Sequence, residues 1–141
     1  MEKKITGCVF DLDGTLADTA PDIAIALNNS LNDAGLRQVP LESVKEMIGN
    51  GIPVLVRRAL FHIEAPEDLA ADVITSMLAY SRQYYCEKSS LMNGVKDCLE
   101  GLKKRGIPMS ICTNKDETVA QMVVSALDLN SYFYAIVGSR P

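Results

Sequence analysis

The apolar positions of this chain change period along its length. Lys4–Phe10, KITGCVF, is almost continuously apolar, carries the β-formers Ile5, Val9 and Phe10, and runs toward an Asp13-Gly14 turn signal. That pattern predicts a strand buried on both faces. The apolar positions that follow fall at helical spacing. Ile23, Leu27, Leu31 and Ala34 lie between Pro21 and Gly35. Leu41, Val44 and Ile48 lie between Pro40 and Gly49-Asn50-Gly51, and Ile52–Ile63 is a third amphipathic stretch. A fourth is expected over Glu67–Cys86, with Leu69, Val73, Met77, Tyr80 and Tyr84 on one stripe.

After Leu91 the pattern alternates. Asn93-Gly94 opens a helix with Val95, Leu99 and Leu102 inward. Lys103, Lys104 and Arg105 suit its last turn, and Gly106 ends it. Ile107–Cys112 predicts a second short buried strand, broken by Thr113-Asn114-Lys115, which leads into a helix carrying Val119, Met122, Val123 and Leu127. Tyr134–Val137 predicts a third strand. Strands alternating with helices imply an α/β fold with a parallel sheet. The roughly eighty residues between the first two strands far exceed an ordinary crossover. The surplus reads as an inserted helical subdomain. The expected division is a core of residues 1–16 and 91–141 and a helical subdomain of residues 17–90.

Composition narrows the function classes. The chain has 141 residues, 48% hydrophobic and 23% charged, which is the balance of a soluble globular protein. A net charge of −4 and a pI near 4.9 argue against a nucleic-acid partner held by a basic surface. No apolar run is long enough to span a bilayer, and MEKKITG lacks the apolar stretch of a signal peptide. No membrane partner is expected, and the expected location is cytoplasmic. Cys8, Cys86, Cys98 and Cys112 form no C-x-x-C pair and read as buried small hydrophobes. The one histidine, His62, sits in a helical stretch far from any nucleophile motif, which reads as a structural or surface role.

Candidate chemistry lies at the strand ends. CVFDLDGTLADT runs apolar into Asp11 and Asp13 and turns at once on Gly14. Two like charges there repel each other and resist dehydration, so a compensating cation is expected. Strand alternation points both carboxylates the same way, toward the ligand-binding end of a parallel sheet. Mg²⁺ suits such oxygen ligands and bridges to phosphate. Thr113-Asn114, read as opening a helix, offers a hydroxyl and backbone N–H groups as a phosphate cradle. A calcium loop is a poor reading, because Leu16 stands where Gly is needed and Asp22 where Glu is needed.

VFDLDGTLADT resembles the first motif of the haloacid dehalogenase superfamily, and SICTNK resembles its second. IGNGIPVLVRRAL and NGVKDCLEGLKKRG resemble the cap and the helix before the second motif in that superfamily's phosphoglycolate phosphatases. The likeness covers nearly the whole chain. It implies a Rossmann-like core with a helical cap, and Mg²⁺-dependent hydrolysis of a small phosphorylated metabolite, phosphoglycolate or one like it. By the same resemblance Asp11 is the nucleophile and Asp13 the general acid and base. Mg²⁺ is held by Asp11 and Asp13, Thr113 and Asn114 bind the phosphoryl group, and Gly49, Asn50 and Gly51 of the cap select the substrate. Asp18 reads as a capping or surface residue, and at most one of Arg57 and Arg58 as facing the cleft.

The resemblance also marks a departure. Family members continue to a Lys motif and an acidic motif, whereas this chain stops at VGSRP. The C-terminal part of the core is expected to be absent, the first strand to expose an edge, and the chain to self-associate there with little activity of its own. Lys115 is expected to start a helix and point away from the site. Alternatives are a β-phosphoglucomutase-like phosphotransferase and an inactive fragment acting as a folding or interaction module.

Overall fold

The sheet begins at Cys8. In the computed structural model, which describes residues 4–141, β1 spans Cys8–Phe10, shorter than the Lys4–Phe10 run predicted. Residues 1–3 of the expected core segment lie outside the described residues. A tight turn follows β1, and a two-residue strand β2 (Ala17–Asp18) comes next. Four helices succeed it: α1 (Ala20–Asp33), α2 (Leu41–Met47), α3 (Ile52–His62) and α4 (Ala70–Gln83). The chain returns through β3 (Ser90–Leu91) to α5 (Val95–Lys104), β4 (Met109–Asp116), α6 (Glu117–Ala126) and β5 (Ile136–Ser139).

The described residues through Asp18, with Ser90–Pro141, form one compact unit, and Thr19–Ser89 form another. The first is an α/β unit whose three-stranded sheet has the order β1-β4-β5, both ladders parallel. Cys8 pairs with Met109, Phe10 with Ile111, and Ile111 with Ile136. Side chains paired across a ladder share a face. On the face carrying Ile111, α6 packs against β4 and β5 and buries Val119, Ala120, Val123 and Val124. Among the described residues the opposite face is open. There Val9 is 71% exposed and Val137 47%.

This corrects two expectations. The first strand is not buried on both faces, because it ends the sheet and its outward face has no cover among the described residues. The cysteines are not core residues either, since Cys98 and Cys112 are exposed and Cys8 and Cys86 half-buried. Cys112 lies beside Val137 on the open face. Apolar neighbours in sequence do not bury a residue when the sheet is covered on one side.

The helical unit follows its hydrophobic periodicity. Leu27 and Leu31 of α1, Val44 of α2, Val56 and Leu60 of α3, and Val73 and Met77 of α4 form one buried cluster. Leu41 turns outward instead, and Met47 takes an inward place on α2. The fourth helix starts as a 3₁₀ turn, Glu67–Leu69, and stops at Gln83 rather than Cys86. Asp22, 2% exposed, holds the returning segment. Its carboxylate accepts the N–H of Lys88 at 3.0 Å and of Ser89 at 2.8 Å, with the Ser89 hydroxyl as a further donor. The expected capping role of Asp18 is not seen: it lies in β2, paired with Ser90, while Thr19 occupies the N-cap of α1.

Candidate active site

A carbonyl organises the turn after β1. The Leu12 carbonyl accepts N–H groups from Thr15 at 3.2 Å, Leu16 at 3.0 Å and Ala17 at 3.2 Å, while the Leu12 side chain is fully buried. Gly14 takes φ +74°, the left-handed region that a side chain resists, and donates its N–H to Ala17 O at 2.8 Å. Asp13 bridges to Ala17 through the backbone. The two carboxylates flanking Leu12 are thereby set on a rigid turn at the carboxyl end of β1. Asp11 is exposed, and its Oδ1 accepts the Leu12 N–H at 2.7 Å. Asp13 is mostly withdrawn from solvent.

The second half of the site departs from expectation. β4 does not break at Thr113 but continues through Asp116, with a register shift against β5 between Cys112 and Asp116. The helix opens at Glu117, where the Asp116 side chain caps it by accepting the Val119 N–H at 3.1 Å. Thr113-Asn114 therefore opens no helix, and the expected helix-end phosphate cradle is not at these residues. Thr113 is buried and its Oγ1 accepts the Lys115 N–H at 3.2 Å, which leaves the hydroxyl hydrogen to donate elsewhere. Asn114 is exposed.

Lys115 does not point away. Its Nζ lies 2.9 Å from Asp13 Oδ1, and the two side chains are only 12% and 13% exposed. The pair joins the end of β1 to the end of β4. The compensating charge that Asp11 and Asp13 demand is thus supplied at least in part by the chain itself. The signal was available in T-N-K, a basic residue two positions after Thr113. It was masked by the helix assigned there.

Beyond Lys115 the backbone is tightly backed by β5. A Cβ on Gly138 would come within 2.5 Å of Glu117 Cα and 2.7 Å of Lys115 O. The Gly138 N–H donates to Glu117 Oε2 at 3.1 Å, and Arg140 Nε lies 3.0 Å from the same oxygen. The Arg140 contact first, and the Gly138 N–H second, hold the Glu117 carboxyl below its ordinary value.

The carboxylates of Asp11 and Asp13 are oxygen donors of the kind that suit a hard cation. Among the described residues no three His, Cys, Asp or Glu side chains come together as a cation site. Gly49 and Asn50 are exposed, and Gly51 half-buried, between α2 and α3 of the helical unit. In that unit Arg58 donates to Met47 O at 2.9 Å and Arg57 to Pro53 O at 3.3 Å.

The sequence pattern of the haloacid dehalogenase-like hydrolases matches residues 8–141. The chain belongs to that family. It is 38% identical to a phosphoglycolate phosphatase of Pseudomonas fluorescens over 92% of this chain and 49% of the relative. It is 36% identical to a phosphoglycolate phosphatase of Colwellia psychrerythraea over 92% of this chain and 60% of the relative. Its fold matches the crystal structure of a predicted phosphoglycolate phosphatase from Haemophilus somnus with a TM-score of 0.88 and 31% identity. That match covers 98% of this chain and 64% of the other. The chain thus spans about half to three fifths of the length of these two curated relatives.

Proposed function

We propose that this chain carries part of the active site of a Mg²⁺-dependent phosphatase acting on a small phosphate monoester, phosphoglycolate or one like it. The observation that carries the reading is the Asp13–Lys115 contact, which gathers the carboxylate turn and the second motif in a haloacid dehalogenase-like chain. Asp11 is the nucleophile. One of its carboxylate oxygens forms a bond to phosphorus as the ester P–O bond breaks, giving an aspartyl phosphate. Asp13 gives its proton to the departing alkoxide, then takes one from the water that attacks phosphorus, releasing inorganic phosphate and freeing Asp11. Thr113 donates to a phosphoryl oxygen, together with the Asn114 N–H. Mg²⁺, when bound through Asp11 and an oxygen of Asp13, supplies positive charge beside the phosphoryl group. Gly49, Asn50 and Gly51 are proposed to select the leaving group.

With a donor set this small, low turnover is expected of the 141-residue chain alone. No helix among the described residues is long and apolar enough to cross a membrane, and the reading includes a cytoplasmic location. It also includes self-association through the free edge of β1, to be read by sedimentation velocity at rising concentration.

The test is a single-turnover reaction with Mg²⁺ and a small phosphate ester, followed by mass spectrometry of the intact chain. Wild type should acquire one phosphoryl group on Asp11, and Asp11→Asn should acquire none while keeping its circular dichroism spectrum. Labelling of Asp11→Asn would refute the nucleophile, and an unlabelled wild type would favour the inactive module. Release of inorganic phosphate, rather than transfer to a second sugar hydroxyl, separates a phosphatase from a phosphotransferase.

A further inference from the structure

The reaction proposed for Asp11 and Asp13 leaves one charged group of the site unused. The Lys115 ammonium meets Asp13 Oδ1 at 2.9 Å with both side chains largely withdrawn from solvent. An exposed ion pair wanders and contributes little. A desolvated one behaves differently, because separating it leaves each charge without its partner. Both ends are also mounted on fixed backbone. Asp13 sits in the turn closed by the Leu12 carbonyl and by the Gly14 N–H to Ala17 O. Lys115 donates its N–H to Thr113 Oγ1, and its carbonyl is backed by Gly138 so closely that no side chain fits between. Asp116 then caps α6.

We propose that Lys115 is a positioning residue. Its ammonium, in contact with Asp13 Oδ1, fixes the Asp13 carboxyl group at the adjoining ends of β1 and β4, so the group that moves the proton is already placed when the ester binds. The consequence for catalysis rests on the phosphatase reading, but the placement of Asp13 does not. A misplacement of about 1 Å at a reacting group costs on the order of 10²-fold in rate, and that is the scale expected when the pair is broken.

The experiment has two arms on the full chain. In ¹⁵N-lysine NMR, the Lys115 ammonium should give a signal protected from water exchange, identified by its loss in Lys115→Arg and abolished by Asp13→Asn. In Mg²⁺-dependent hydrolysis of p-nitrophenyl phosphate, Lys115→Met should lower kcat by about 10²-fold with KM changed less than about threefold. Lys115→Arg should recover most of that loss, which a merely structural contact would not predict. A Lys115 signal unprotected from water or indifferent to Asp13→Asn overturns the proposal, as does an unchanged kcat in Lys115→Met. If wild type shows neither turnover nor a label on Asp11, the phosphatase reading fails. The ammonium signal still decides whether Lys115 holds Asp13.

Discussion

Two carboxylates withdrawn from solvent, the buried Asp22 of the helical unit and the partly buried Asp13 of the α/β unit, meet different kinds of donor. Asp22 of the helical unit is satisfied by donors with fixed positions, the N–H groups of Lys88 and Ser89 and the Ser89 hydroxyl. Asp13 of the α/β unit is met by the end of a long side chain, Lys115. Main-chain donors suit a carboxylate whose task is to tie two segments together. A side-chain cation holds a carboxylate while leaving its surroundings able to take up a ligand. The cores differ in the same sense. The helical unit closes one continuous apolar cluster, whereas the sheet, among the described residues, is covered on the α6 face and open on the other.

The largest effect that would test this contrast comes from the closed core. Leu27 is fully buried in the cluster between α1 and its neighbours. Leu27→Ala removes buried methyl groups and leaves a cavity, which costs about 2–5 kcal/mol. Val9→Ala on the open face should stay within about 0.5 kcal/mol. Urea unfolding of the two variants, with amide exchange in α1 and α4, reads both. Equal losses would mean that the open face is covered in solution.

Gly138→Ala should come next. The added Cβ has backbone, not a yielding side chain, at 2.5 to 2.8 Å, so β5 or the Lys115–Glu117 segment must shift. Overpacking of this kind costs about 1–3 kcal/mol. The same shift should disturb the Lys115 ammonium signal while leaving amide exchange in α1–α4 unchanged. A variant as stable as wild type would show that the contact relaxes freely.

The helical unit was largely legible in the sequence. The Pro21, Gly35 and Pro40 punctuation and the spacing of Leu27, Leu31, Val44, Val73 and Met77 carry their meaning locally, and the structure follows them. The α/β unit was legible in its order of elements and less so in its details. Thr113-Asn114-Lys115 carries turn-forming polar residues, yet β4 runs through it because pairing with β5 resumes at Asp116 beyond a bulge. A register shift is set by the partner strand and has no signature in the bulged residues themselves. Lys115 was misread for that reason: its direction depends on where the strand ends. The Ala17–Asp18 ladder with Ser90–Leu91 pairs segments too short to show a period. Cys112 was expected to be buried from its apolar neighbours, but its exposure depends on what covers the sheet.

The smallest effect concerns Glu117, at the junction that supports Lys115. Its carboxyl is held below the ordinary value of 4.5, first by Arg140 and then by the Gly138 N–H, against the opposing pull of desolvation. A carboxyl with a lowered value in the folded state binds fewer protons there than in the unfolded chain. Its contribution to stability is therefore complete above the unfolded value and fades as pH falls through the folded one. Glu117→Gln should be less stable than wild type at neutral pH, and the gap should close on acidification below about pH 4.5. Arg140 is 72% exposed while Glu117 is only 18% exposed, so added salt should weaken the Arg140 share and spare that of the Gly138 N–H. Unfolding curves for both proteins between about pH 7 and pH 3, with and without added salt, measure this. A gap that stays constant across that range would mean that Glu117 acts through its shape alone and that its charge does not help to hold β5 against α6.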